Sequence, residues 1–217
     1  MPPGVGRVQE KRVAALAAAN LVEDGMILGL GTGTTVAELV PILAERRLDI
    51  TCVATSPATE RLARTHGLRI VPFGRLAALD LAIDGADQVD PVGWLVKGGG
   101  GAQTRERIVA AAAERFVVIA SSDKLVERVT QPVPLELLRF GLGVTLAAVP
   151  GAVLRASPPT PDGGVLADLR AEVGDPGVLA AALDAVPGVV SHGLFAPSLV
   201  WRVLVATGDS VETRQIG

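Results

Sequence analysis

Across its first two thirds the chain alternates helical and strand-like apolar patterns, and this restricts the available folds more than any other feature. Val13, Leu16, Ala17 and Leu21 recur at helical spacing, and Gly25 follows as a stop signal. Residues 26–30 are then a short unbroken apolar run, as expected of a strand. The spacing next predicts a helix over 35–45, a strand over 50–54 and a helix over 58–65 that ends at Gly67. Strands over 68–71 and 80–83, a helix over 104–114 and a strand over 116–120 complete the series. Continuous apolar strands alternating with helices predict an α/β fold whose parallel sheet is covered on both faces. Ligands of such sheets bind where loops leave the carboxyl ends of the strands.

From Gln131 the pattern changes. Pro132, Pro134, Pro150, Pro158, Pro159 and Pro161 interrupt the chain, with strand-like pieces over 152–156 and 165–169. A helix is predicted over 176–185, with Pro176 in its first turn, and a strand over 189–195. This composition predicts a small α+β lid over 131–197, beside a main domain formed by 1–130 with 198–217. In that division the buried strand over 199–206 returns to the main sheet. Residues 140–154 carry no charge over 15 positions. They are too few, and too rich in Gly and Pro, for a membrane span of roughly 20 residues, and are read as buried core or a subunit contact.

Charge narrows the function classes. Lys and Arg number 20 against 23 Asp and Glu, for a formal net charge of −3. The basic residues are scattered, so neither a nucleic-acid footprint nor a polybasic membrane patch is expected. Cys52 lies in an apolar run and has no partner for an intrachain disulfide. Residues 1–6 lack a charged start followed by an apolar core, so a cytoplasmic location is expected. His66 and His192 are isolated, and no metal site is expected.

The unusual residues gather on predicted loops. Gly29-Leu30-Gly31-Thr32-Gly33-Thr34-Thr35 joins a strand to a helix, where backbone N–H groups, hydroxyls and the helix dipole suit a phosphate. It is neither a Walker loop nor a dinucleotide fingerprint; a tight turn needing small residues is the plainer alternative. Asp84-Gly85-Ala86-Asp87 ends another strand and would pass for an ordinary turn if it stood alone. Lys97 precedes four successive glycines, Gly98 to Gly101, which are costly to order; close approach of backbone to a ligand explains them better than a linker does. Glu106 follows in the first turn of a helix, one position short of a capping box with Thr104.

Together these groups supply the parts of an aldose–ketose isomerisation. Glu106 is the candidate general base, Lys97 and the glycine N–H groups the donors for an enediolate oxygen, and Asp84 and Asp87 the shuttles for hydroxyl protons and ring opening.

These blocks, in this order, resemble type A ribose-5-phosphate isomerase, with weaker echoes at Pro134-Leu135-Glu136 and from Gly188 to Phe195. The resemblance implies a Rossmann-like domain with a lid, a homodimer or dimer of dimers, and interconversion of ribose 5-phosphate and ribulose 5-phosphate without a cofactor. It implies Glu106 as the proton-transferring base, with Thr32, Gly33, Thr34 and Thr35 at the phosphate or sugar. It sets Asp84, Gly85, Ala86, Asp87, Lys97, Gly98, Gly99, Gly100 and Lys124 around the substrate, and Lys11 near the phosphate. Gln88 departs from the family's usual Glu, and Ser121-Ser122-Asp123-Lys124 from its usual Asp-Glu-Ser-Lys. The rival readings are a sugar-phosphate sensing module, an amino-sugar phosphate deaminase and a coenzyme A transferase; fold analogy alone does not separate them.

Overall fold

The structure, a computed structural model, describes residues 5–217; residues 1–4, part of the segment read for a leader, lie outside the described residues. In chain order the first elements are α1 (Val5–Ala19), β1 (Ile27–Leu30), α2 (Thr34–Glu45), β2 (Thr51–Ala54), α3 (Pro57–Thr65), β3 (Arg69–Ile70) and β4 (Leu79–Gly85). Then come β5 (Gln88–Val89), β6 (Leu95–Val96), α4 (Gln103–Ala112), β7 (Ala113–Ser121) and β8 (Val133–Leu137). The remainder is α5 (Leu142–Ala148), β9 (Ala152–Leu154), β10 (Val165–Leu169), α6 (Pro176–Asp184), β11 (Val189–His192), β12 (Leu194–Phe195), β13 (Arg202–Thr207) and β14 (Ser210–Gln215).

Seven strands form the main sheet, in the order β14-β13-β7-β4-β1-β2-β3. Every neighbouring pair is parallel except β13 and β14. Alternation along the strands feeds two cores. Leu28, Leu30, Leu81, Ile83, Val117 and Ile119 pack with buried residues of α1 and α2, whereas Val53, Ala82, Phe116, Val118 and Val203 pack with Val109 and Ala110 of α4. Burial of Cys52 pushes its thiol up to about 12, so it is an inert core group.

Because β1 lies between β2 and β4, the chain leaves it in opposite directions, and a crevice opens at the carboxyl ends of β1 and β4. Helix α4 packs tightly over the sheet because residue 29 is glycine: a Cβ there would lie 2.4 Å from Val109 Cγ1.

A second, antiparallel sheet has the order β11-β8-β10-β9, with a third core between it and buried or half-buried residues of α5 and α6. A short sheet, β12-β6-β5, completes the strand pairing. Several expectations need correction. The proline-marked segment contains β8, whose Pro134 pairs with Asp168 inside the sheet. The strand expected over 189–195 splits at Gly193, with β11 in the second sheet and β12 in the third. Residues 140–154 are not simply core: Leu142, Leu146 and Val149 pack inward, while Phe140 is 93% and Val144 77% exposed. A short helix at the surface cannot bury its whole circumference. The expected return to the main sheet is made by β13, and β14 adds an edge strand that the sequence reading did not include. No helix among the described residues is long and apolar enough to cross a membrane.

The close packing of α4 on β1 is open to test. Gly29→Ala should cost about 1–3 kcal/mol by overpacking against Val109. The urea midpoint should fall with the slope of the transition unchanged.

Candidate active site

The crevice between β1 and β4 is built around the side chain of Asp84. Gly31 leaves room for it, since a Cβ at residue 31 would lie 1.9 Å from the Asp84 carboxylate carbon. Thr32 N–H donates to Asp84 Oδ1 at 3.1 Å, and Gly85 N–H donates to the same oxygen at 2.7 Å. Oδ2 is left for Lys97 Nζ, 2.9 Å away. Lys97 follows β6, and its own N–H donates to the Gly193 carbonyl at 2.9 Å. Its ammonium also donates to the Gly85 carbonyl and lies 3.3 Å from Glu106 Oε2. The first turn of α4 therefore brings Glu106 to the lysine already held by Asp84. Beneath Lys97 is the ring of Phe195, its centroid 5.5 Å from Nζ and 4.7 Å from the Arg107 guanidinium.

Asp84, Lys97 and Glu106 are 3%, 2% and 5% exposed, so burial opposes the charge on each of them. Burial, reinforced by the charge of Asp84, pushes Glu106 up to about 8 although Lys97 pulls the other way. Burial also raises Asp84 against the effect of Lys97 and its N–H donors. For Lys97, burial opposes the charge, but Asp84 and Glu106 together outweigh it and raise the ammonium's pKa. Two carboxylates face one ammonium here, and the surplus negative charge favours a proton on Glu106 near neutral pH.

With the exception of Asp84, every residue that the resemblance sets around the substrate or the phosphate lines a single cleft of about 140 Å³. Asp84 lies behind Lys97 and is not part of that lining. At one end Lys11 Nζ donates to Thr34 Oγ1 at 2.9 Å beside the start of α2, whose first N–H groups have no intrahelical acceptor. Lys124 lines the same cleft; Asp123 lies 3.9 Å from its Nζ and accepts from the Ser121 hydroxyl. The divergent Ser-Ser-Asp-Lys segment thus has its own support, and Ser122 is also tied to Glu10 of α1. Asp87 lines the cleft and accepts from Gly99 N–H at 2.7 Å. Gln88 both accepts from Thr130 N–H (2.7 Å) and donates to the Thr130 carbonyl (3.2 Å), a two-way pairing that an ionised Glu could not make.

Several supporting residues were not singled out in the sequence. Thr55, just after β2, shares a 2.7 Å hydrogen bond with Thr32, and the Thr59 hydroxyl donates to the Gly31 carbonyl at 2.8 Å. Thr55 carries one available signal, its place at the carboxyl end of a strand. Phe195 closes the weaker echo from Gly188, while Arg107 carries none, because its role depends on contacts distant in sequence. His192 is fully buried: Leu194 N–H donates to its Nδ1, and its Nε2 is 3.1 Å from Asp184. Burial, helped by Arg107, lowers its pKa to about 4 and keeps it neutral. Among the described residues no group of three or more His, Cys, Asp or Glu side chains could hold a metal ion.

Removing the lysine should expose the electrostatic cost of the cluster. Lys97→Met leaves Asp84 and Glu106 buried without their counter-charge, and should lose about 3–5 kcal/mol in urea unfolding. An unchanged midpoint would show that the carboxylates do not depend on it.

Comparison with known proteins shows which family the chain is similar to. The family model described as ribose 5-phosphate isomerase A (phosphoriboisomerase A) matches residues 51–210. The chain is 42% identical over 223 residues to "Ribose-5-phosphate isomerase A" of Sphingopyxis alaskensis, covering 97% of each chain. The solved ribose 5-phosphate isomerase A of Methanocaldococcus jannaschii superposes with a TM-score of 0.88 at 32% identity, covering 94% of this chain and 97% of that one. A D-ribose-5-phosphate isomerase solved in complex with phospho-erythronic acid gives 0.91 at 32% identity, with 96% and 99% covered. By sequence and by fold, the chain belongs to the ribose 5-phosphate isomerase A family.

Proposed function

We propose that the chain interconverts ribose 5-phosphate and ribulose 5-phosphate through an enediolate, with Glu106 carrying the proton between C2 and C1. The observation that carries this reading is a buried carboxylate held near pH 8, 3.3 Å from an ammonium and lining a cleft. A general base works best when its pKa lies near the working pH, and burial supplies that adjustment here. Lys97 and the glycine-run N–H groups are the donors for the oxygen that gains charge as the C2 proton leaves. Asp84 keeps Lys97 charged and aimed, whereas Asp87, which lines the cleft, is the group placed to move hydroxyl protons and open the ring. Lys11, Lys124 and the start of α2 take the phosphate. The phospho-erythronic acid bound by a solved relative, a four-carbon sugar acid carrying a phosphate, supports this class of substrate.

The four-stranded sheet with α5 and α6 is read as a lid over 131–197. Outward-facing Phe140 and Val144 offer apolar surface for a subunit contact in a homodimer or dimer of dimers. A sensing module would have little use for Glu106, a buried carboxylate whose ionisation burial opposes.

Turnover of ribose 5-phosphate, with chelator present, tests the reading. Glu106→Gln should lose at least about a hundredfold in kcat, and the wild type should wash deuterium from solvent into the reacting carbon. A wild type that binds the sugar phosphate without turning it over would leave the sensing module as the better reading.

The dependence on pH follows from the same carboxylate. The base must be ionised, so kcat/KM should be lost as pH falls through about 8. Stability should run the other way. The folded state holds a proton on Glu106 between 4.5, the ordinary value, and about 8, so its contribution is present at low pH and is lost as pH rises through that window. Thermal melts of Glu106→Gln, which cannot ionise, should therefore gain on the wild type as pH rises.

A further inference from the structure

The glycine run is gripped by an arginine from the second sheet that the mechanism above does not use. Arg155 directly follows β9, and its Nη1 donates to two successive carbonyls, Gly98 O at 2.9 Å and Gly99 O at 3.2 Å. The other edge of the guanidinium forks onto Asp168 of β10, with Nε 3.0 Å from Oδ2 and Nη2 2.6 Å from Oδ1. Both edges of the plane are used, which a lysine could not reproduce. The pair is largely sheltered, at 18% and 19% side-chain exposure.

Two carbonyls held in this way fix two peptide units. A trans peptide carries its N–H on the side opposite its C=O. In the first unit the Gly98 carbonyl meets Arg155, and the Gly99 N–H at the other end donates to Asp87 Oδ2 at 2.7 Å. In the second the Gly99 carbonyl meets Arg155, and at the other end is the Gly100 N–H. That N–H has no hydrogen bond to protein among the described residues, and Gly100 lines the cleft. The Gly98 carbonyl also accepts from Gly101 N–H at 3.0 Å, closing the turn. A charged donor on a carbonyl polarises the peptide and strengthens the N–H beyond it.

We propose that Arg155, seated on Asp168, is a positioning residue for the isomerisation. Through one peptide unit it steadies Asp87, and through the next it aims the Gly100 N–H at the enediolate oxygen. A residue of the second sheet thereby completes a donor set otherwise built at the edge of the first. The proposal rests on the isomerase reading and adds to it a source of transition-state stabilisation outside the cleft.

The test compares the wild type with Arg155→Met, Arg155→Lys and Asp168→Asn in ribose 5-phosphate turnover, with melting temperatures measured alongside. Loss of an aimed enediolate donor should lower kcat of Arg155→Met by about a hundredfold. KM should move by no more than about threefold, because the contact strengthens only as charge develops. Arg155→Lys should recover about tenfold of that loss, since an ammonium still reaches a carbonyl but loses the fork. Asp168→Asn leaves Arg155 in place but loosens its seat; a kcat about fivefold below wild type, with unchanged melting, would support the proposal even if Arg155→Met does not fold. Wild-type kcat in Arg155→Met, or in Asp168→Asn should the former not fold, would overturn the proposal, as would a folded Arg155→Lys no better than Arg155→Met. A wild type without turnover would instead overturn the isomerase reading, and so the two failures are separable.

Discussion

The buried ammonium of Lys97 between the carboxylates of Asp84 and Glu106 is the interaction on which the rest of the site depends. Charges removed from water are tolerated only when their partners are already in place. The surrounding structure provides those partners from separate elements: Asp84 from the end of β4, Lys97 from the end of β6 and Glu106 from the first turn of α4. Gly31 makes room for the first carboxylate, and two backbone N–H groups hold it. Burial favours a proton on Glu106, whereas the proton abstraction proposed for it requires that the proton be gone. On that proposal the chain retains a locally unfavourable charge state where the chemistry would need it.

Helix α4 links this cluster to the rest of the molecule. It lies on the main sheet through the close approach of Val109 to Gly29 and is tied to the second sheet at two points. Thr104 donates to Glu136 of β8, and Arg107 donates to the carbonyl of His192 of β11 and also to that of Leu194 in the third sheet. Glu106 lies between these two anchors in sequence, so its carboxylate is set by both sheets together. A carboxylate carried on a rigid helix can be placed more narrowly than one carried on a loop.

The main sheet was readable because continuous apolar strands between amphipathic helices admit few other arrangements. The site was readable for a different reason: four successive glycines after a lysine, and paired aspartates at a strand end, are poor choices for structure alone. What escaped was decided by tertiary contacts. Pro134 suggests a break, yet it sits within a paired strand because only its own N–H is missing from the ladder. Asp84 and Asp87 look equivalent in sequence, but one ends β4 and turns behind Lys97, while the other lies past the strand and faces the cleft. Phe195, Arg107 and Arg155 meet the site across long stretches of chain, and no local pattern records such meetings.

The lone thiol of Cys52 offers one more use of this architecture. It lies inside the main sheet on β2, beside the central strand β1, fully covered and held protonated. A modifying reagent has no reactive thiolate to meet until the strands part. The chain therefore carries a built-in clock: at mild alkaline pH the rate at which this sulfur is alkylated measures how often the sheet opens, with no label introduced and no residue of the cleft disturbed.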